Sequence, residues 1–393
     1  MAKQALEGIT VLDLCRGYPP AFATMHMGDF GADVVKVDPV GYTMPLPMEA
    51  TVQTMSAYTF IDRNKRSIKL NLKSEQGKEV IYKLIKKMDV LVENSRPGTM
   101  EKLGIGWDTL KEINPRLIFC AVSGYGQTGP YRDVVGHDAN FMAVGGALSL
   151  IGHKDGPPCF PSNMVADFAG AGLHPLIGIL IALQARERTG KGQLVDIAYL
   201  DSVFSLISFD TAMYMISGEK RRRGLTPQTG GDPHCSAYLT KDGEYIAIQS
   251  IETPFWKNFC EGIGRPDLIP RLWPKDEADR QEMFKILREL FLTKTRDEWW
   301  EWTKEREVFL GPVLYVEEAM EDPQLVSRQM IMDREHPVLG KIKQLGNPLK
   351  LSDTPAQFNR YCPLPGEHTG EILKEIGYSG AQIEELRTTK AVE

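Results

Sequence analysis

A chain of 393 residues is too long for one ordinary hydrophobic core, so two domains, or a large one with a smaller companion, are expected. An apolar fraction of 42% is that of a globular protein, and a net charge of −6 gives no general attraction to nucleic acid or to anionic membranes. Binding of a phosphorylated ligand must then be local. Six cysteines stand singly with no C-x-x-C pair, which argues against a zinc site or a disulfide framework and points to the cytoplasm.

"GITVLDL" (Gly8–Leu14) is a short β-rich run with no cleavage-site pattern, so it reads as a first strand and not as a signal peptide. A Pro-Pro turn, a helical stretch through Met27 and the strand Ala32–Asp38 follow, the strand–helix–strand order of a parallel sheet. An amphipathic helix with Val80, Leu84 and Ile85 on one face runs into a strand at Val90–Glu93, and "PRLIFCAVSG" adds another. The first third is therefore an α/β layer. The longest apolar stretch, Leu173–Ala185, is shorter than the roughly 18 residues of a membrane span and carries His174, Pro175 and Gln184. It predicts a buried helix over Ala171–Arg188, stopped by Gly190 and Gly192.

The basic stretch Arg221–Arg223 suggests a linker over 201–225. "SAYLTKDGEYIAIQS" predicts a hairpin about Asp242-Gly243 in a type I′ turn, and the apolar-striped helical region after it completes a small α+β domain at 226–329. In the tail, Thr369 and Ser379 are expected to cap two short helices.

Several stretches carry chemistry, each with a plainer alternative. "GYGQTG" (Gly124–Gly129) matches G-x-G-x-x-G after a strand but runs into Pro130 instead of a clear helix, so a Gly-rich loop beside a ligand is the better reading than a dinucleotide site. "RNKRS" gathers Arg63, Lys65 and Arg66, and "ENSRPG" sets Arg96 in a turn. These are either solvated surface charges or a grip on phosphate. His137 beside Asp138 is either a structural pair or part of a site. Asp167, thirty residues on, stands among small residues before the apolar helix: a helix-start acid, a satisfied core carboxylate, or a group beside which a bulky ligand approaches the backbone. Glu252 ends the hairpin's second strand.

Taken together, "LEGITVLDL", "GDFGADVVKVD", "NKRSIKLNLK", "ENSRPGTMEKLGIG", "GHDANF", "MVADFAGAGL", "ARERTGKGQLVDIAYLDSV" and "SIETPFW" resemble the family III CoA-transferase (CaiB/BaiF) superfamily, and within it the α-methylacyl-CoA racemase branch. The resemblance implies an α/β fold with a large Rossmann-like domain (1–200, completed by 330–393), a small α+β domain, and an interlocked homodimer. It implies an acyl-CoA substrate, coenzyme A being part of that substrate, with no tightly bound cofactor and no metal.

Carried over, the racemase pattern falls on His137 and Asp167 as the two acid/base groups, with Glu252 reaching in from a partner subunit. Racemisation removes an α-proton beside a thioester on one face and returns one on the other, so two groups must flank one carbon. Backbone amides at the Asp167 helix start are expected to stabilise the enolate. Arg63, Lys65, Arg66, Arg96, Gly124, Tyr125, Gly126 and Asp138 are expected to hold the CoA thioester. In the transferase branch Asp167 instead attacks the thioester, forming an anhydride and then an aspartyl-CoA thioester that a free carboxylic acid resolves. Two departures stand out. Pro39 occupies a position where the family usually has an arginine, and Gly41–Asp62 forms a methionine-rich insertion suited to plain packing or to an irregular acyl pocket.

Overall fold

A computed structural model describes residues 4–43, 60–336 and 340–393. The described residues fall into two compact units, one drawn from 1–145, 162–206 and 326–393, the other from 146–161 and 207–325. Most of the methionine-rich stretch singled out above lies outside the described residues.

The first unit is built on six parallel strands: β1 (Thr10–Asp13), β2 (Asp33–Pro39), β3 (Lys65–Leu70), β4 (Val90–Glu93), β5 (Ile118–Ser123) and β6 (Leu194–Ala198). Their spatial order is β3-β2-β1-β4-β5-β6, so the winding direction reverses between β1 and β4. In such sheets the crevice beyond the carboxyl ends of the strands at that reversal is where ligands bind.

Helices cover the faces. They are α1 (Tyr18–Asp29), α2 (Glu75–Ile85), α3 (Trp107–Ile113), α4 (Asp138–Val144), α5 (His174–Thr189) and α6 (Tyr199–Leu206). Helix α2 shows why: Ser74 caps it by accepting the Gly77 amide at 3.0 Å, and Val80, Ile81, Leu84 and Ile85 are wholly buried along one stripe. Each such burial contributes roughly 1.5–3 kcal/mol. A Leu84→Ala change would cost about 2–5 kcal/mol through lost transfer energy and a cavity.

The C-terminal segment returns to this core. A hairpin of β10 (Ile331–His336) and β11 (Gly340–Leu345) precedes α11 (Thr369–Glu375) and α12 (Gly380–Thr388), whose Ile372, Leu373, Ile383 and Leu386 join the α2 cluster. Ser379 caps α12 by accepting the Gln382 amide. Thr369 is the first residue of α11, and its hydroxyl accepts the Lys69 amide at 3.2 Å, so it ties the helix to β3 in place of capping it.

The cluster at 63–66 is the sharpest correction. Arg63 is buried and pairs with Asp29 in a bidentate fork, its Nε and Nη2 donating to the two carboxylate oxygens at 2.9 and 2.6 Å. Lys65 is wholly buried between Asp13 and Asp62, 2.9 Å from each. Arg66 is shared by Asp33, Glu371 and Glu375. These three cations are consumed by carboxylates of the fold and are not free to grip a phosphate, because a buried charge stays only where it is paired.

In the second unit β7 (Cys235–Leu239), β8 (Tyr245–Gln249) and β9 (Leu310–Pro312) form an antiparallel sheet. The expected hairpin is present, with a different turn. Thr240 and Glu244 still pair and Gly243 alone is left-handed, at φ 84°, so the loop has three residues, the last a glycine. Helices α8 (Thr253–Gly262), α9 (Glu277–Phe291) and α10 (Arg296–Lys304) bury Trp256, Phe259, Phe291 and Trp299 on that sheet. The stretch 201–225, expected as a linker, is largely helical: α6 runs to Leu206 and α7 spans Ser208–Ser217.

Candidate active site

The loop after β1 carries Arg16 and leads into Tyr18 at the start of α1, and that after β4 carries Asn94 and Arg96. Asn94 ties the two loops together, accepting the Arg16 amide and donating to its carbonyl, both at 2.8 Å. Beneath them Asp13 accepts the Cys15 amide at 2.9 Å, the Thr24 hydroxyl at 2.6 Å and the Lys65 ammonium at 2.9 Å. The buried Lys65 thus serves the site from below, by fixing the acid that fixes the loop.

Beyond the strand ends lies a cleft of about 700 Å³, whose walls include Tyr18, Arg96, Gly124, His137, Asp167 and Tyr199. A second cavity of about 690 Å³ shares Arg16, Asn94, Ser95, Arg96 and Thr99 with it and continues past Val37, Pro39, Leu70 and Lys73 to Lys390. Arg16, Lys73, Arg96, Lys102 and Lys390 line these spaces, and none has an ion-pair partner among the described residues. Only Arg96 was legible as a ligand-facing cation. The others come from loops whose proximity depends on the sheet order.

Asp167 sits in a π-helix, Met164–Leu173, where Phe168 N–H reaches back five residues to Asn163 O at 3.2 Å. Such segments are rare and concentrate at functional sites. The π-helix runs directly into α5, giving a 26-residue helical stretch apolar enough by length and composition to cross a membrane. It packs against α1, α6 and the β5–β6 edge of the sheet along one side, with Asp167, Leu176, Ile179 and Ala182 buried, while Leu173, Ile177, Leu180 and Ile181 stay exposed, so the helix expected to be buried is covered on one face only.

The small residues beside Asp167 have a packing reason. A methyl group on Gly170 would lie 3.2 Å from Ser202 Cβ, and one on Gly172 would lie 3.0 Å from Phe22 Cδ1. They admit α6 and α1 to the helix backbone, in place of the ligand expected there.

His137 is the N-cap residue of α4, exposed in the cleft wall, its amide donating to Asn140 Oδ1 at 2.9 Å. Asp138 turns inward and accepts the amides of Ala166 and Asp167 on one oxygen, at 3.1 and 3.0 Å. It is therefore a backbone clamp, not a ligand contact, and it occupies the amides expected to meet an enolate.

Burial pushes the Asp167 carboxyl up to about 6; the neighbouring Asp138 adds to this, while Tyr18 and His137 oppose it. Gly124 and Gly136 make room for the Phe141 ring: a Cβ on either would fall within 2.8 Å of it. Tyr125 packs edge-on against Tyr131 and Phe141, and Gly126, at φ 93°, shapes the turn; neither reaches the cleft wall. Glu252 belongs to the second unit, where it is the exposed N-cap residue of α8 without a side-chain cap bond.

A family model, CoA-transferase family III, matches residues 6–369. The chain belongs to CoA-transferase family III. It is 37% identical to human alpha-methylacyl-CoA racemase over 393 residues, covering 99% of this chain and 98% of the relative. It is 35% identical to the formyl-CoA:oxalate CoA-transferase of Streptomyces avermitilis over 412 residues, covering 99% and 98%. Among solved structures, a CaiB/BaiF family protein from Brucella suis superposes with a TM-score of 0.79 at 28% identity, over 95% of this chain and all of the other.

These family III relatives act on acyl-CoA thioesters by two different reactions, and both likenesses run end to end. Overall similarity therefore leaves the reaction open. Tyr18, which the sequence reading passed over, lines the same cleft as Asp167 and stacks on the neighbouring Phe168, ring centroids 5.6 Å apart. The one sequence signal for it was its place between Gly17 and Pro19-Pro20, at a turn leading into a helix.

Proposed function

We propose that this chain is a cofactor-independent racemase or epimerase of 2-methylacyl-CoA or 2-arylacyl-CoA thioesters, acting by α-proton removal and return. The observation that carries this reading is the pairing in one cleft of His137 with a carboxyl, Asp167, poised at about 6. A buried carboxyl poised near neutrality both takes and gives a proton at modest cost, whereas a fully ionised one returns it poorly. On this reading one group removes the α-proton from one face of the thioester while the other delivers a proton to the opposite face, and the two exchange roles for the other epimer.

Coenzyme A enters as part of the substrate, with Arg16, Arg96, Lys73 and Lys390 supplying unpaired cations along the two cavities. Pro39 lines the second cavity, so there the grip passes to those lysines and arginines. A homodimer is part of the proposal, with Glu252 contributed by the second copy. Support comes from large apolar side chains left open to solvent, Ile181 at 64% and Ile216 at 87% among them. Six unbonded cysteines support the cytoplasm as the compartment.

A second reading, CoA transfer from a donor such as succinyl-CoA to a free carboxylic acid through an Asp167 anhydride, is favoured by the 35% likeness to a CoA-transferase. One incubation separates the two. A single epimer of a 2-methylacyl-CoA is held in deuterated water with and without a carboxylic acid, and the products are read by mass spectrometry. Deuterium at the α-carbon without an acceptor supports the racemase; CoA moved to the added acid with no α-exchange supports the transferase and sinks the first reading.

A further inference from the structure

Between β11 and α11 the chain runs without a helix or strand, and polar bonds tether it at both ends. Asn347 donates to the Asp29 carboxylate at 2.9 Å, and its Oδ1 accepts the Leu349 amide at 2.9 Å. Further on, the Gln357 amide donates to the Asp29 carbonyl at 2.8 Å and the Asn359 amide to Asn64 Oδ1 at 2.7 Å. The segment between these anchors and strand β10 line a cavity of about 440 Å³ in the first unit. It has no wall residue in common with the two cavities of the candidate active site.

Two guanidiniums lie against the Phe358 ring in this wall, that of Arg334 at 4.8 Å from the centroid and that of Arg63 at 6.0 Å. They differ in the donors they have left. Arg63 commits Nε and Nη2 to Asp29 and Nη1 to the Leu345 carbonyl at 2.5 Å. Asp29 also accepts the side-chain amides of Asn64 and Asn347, so its charge is already met.

Arg334 makes a single polar contact, Nη2 to the Met332 thioether at 3.6 Å, and sulfur is a weak acceptor. Its Nε is buried with no hydrogen-bond partner, and it has no ion pair among the described residues. Lys350, on the same wall, is likewise unpaired among the described residues. The cavity is therefore cationic, and its acid is neutralised.

The remaining wall is largely apolar. Leu349 and Leu351 are 47% and 45% exposed, and Met332 and Pro355 stand beside them. A volume of this size is that of a small-molecule site, and it pairs one cationic end with an apolar lining.

We propose that this cavity binds an amphiphilic monocarboxylate, a free aliphatic acid whose carboxylate lies on Arg334 and whose chain lies along Leu349, Leu351 and Pro355. With one face of Arg334 against Phe358, its N–H edge is left for the ligand, and the two oxygens of a carboxylate match that planar edge. Inorganic phosphate would find no second free guanidinium and would leave the leucines wet. The site is independent of the reaction assigned to Asp167.

The test is a calorimetric titration of the full chain with octanoate below its micelle concentration, with saturating coenzyme A present to fill the candidate active site. Acetate, octanamide and inorganic phosphate are titrated alongside. Octanoate should bind, with acetate and octanamide each weaker by at least about tenfold, because one lacks the chain and the other the charge. Arg334→Gln should weaken octanoate about tenfold, and Leu351→Asn, at an exposed position, about threefold, both with Tm held.

No octanoate binding overturns the proposal, as does binding that Arg334→Gln leaves unchanged or that coenzyme A abolishes. Phosphate bound more tightly than octanoate, with the same loss in Arg334→Gln, would overturn the carboxylate assignment in favour of a simple oxyanion site.

Discussion

The carboxylate of Asp138 holds the backbone of Asp167, accepting its amide at 3.0 Å on the oxygen that also accepts the Ala166 amide at 3.1 Å. The acid beside His137 in sequence thus fixes the second candidate acid/base group in space while its charge makes that group harder to ionise. These effects separate by substitution. Asp138→Asn keeps an oxygen acceptor but removes the charge, so the acid limb of α-deuterium exchange should move down by as much as about one pH unit. Asp138→Ala releases both amides and should also lower the plateau rate, by about tenfold if the two bonds together contribute roughly 1–2 kcal/mol to placing Asp167. An acid limb unmoved in Asp138→Asn would show that its charge does not act on the site.

With Asp167 poised at about 6, acid conditions leave its carboxyl unable to accept a proton. Exchange should fall as pH drops through that value. The limb should be the same for interconversion started from either epimer, because the equilibrium between them is independent of pH. Rates measured from each epimer between pH 4.5 and 8 check this; limbs that differ between epimers would contradict it.

His137 and Asp167 should fail differently. Asp167→Asn should reduce exchange from both epimers by at least about a hundredfold. His137→Ala should abolish interconversion of the epimers while one of them still exchanges its α-proton with solvent through Asp167. Chiral separation of the CoA esters with mass detection reads both quantities at once. Equal exchange of both epimers in His137→Ala would remove His137 from the pair.

Lys65 and Arg96 test the reassignment of the basic clusters. Lys65→Met leaves Asp13 in the core without its cation and Asp62 with Lys36 alone, a loss of about 3–5 kcal/mol that a thermal melt should register. Arg96→Ala touches no ion pair among the described residues, so Tm should hold while the Kd for an acyl-CoA rises about tenfold. The opposite pattern, a stable Lys65→Met with weakened ligand binding, would restore the simpler reading of Lys65 as a phosphate ligand.

The contrast shows what the sequence carries. Strand β4 lies where alternation and flanking turns put it, and β2 is displaced by one residue, because the buried strands of a parallel sheet announce themselves as short apolar runs. "RNKRS" gives no such guidance: Arg66 finds Glu375 309 residues away, and no local pattern tells a solvated charge from one neutralised by a distant acid. The π-helix is silent for a related reason. Gly172 and Gly170 admit α1 and α6 close to its backbone, so the small residues look like room for a ligand until those neighbours are seen. His137 and Asp167 stood out as chemistry-bearing residues, but Tyr18 needed the fold to bring it to Asp167.

Glu93 offers a prediction independent of any substrate. It ends β4 beneath the Asn94–Arg96 loop, is 4% exposed, and accepts the Ser95 amide at 2.6 Å. Burial is the foremost influence and pushes its carboxyl up to about 7. Its folded-state value lies above the 4.5 of the free side chain, so between pH 4.5 and 7 the native state holds more of this proton than the unfolded chain does. Stability from this group must therefore fall as pH rises through that window and level off above it, by roughly 3 kcal/mol in all. Glu93→Gln keeps an oxygen to accept the Ser95 amide and cannot ionise. The variant's advantage over the parent in chemical denaturation should be negligible at pH 4, grow up to pH 7 and stay constant to pH 8.5. A difference that does not change with pH would mean that Glu93 titrates in the fold as it does in the open chain, and that the loop below the candidate site is wetter than its packing indicates.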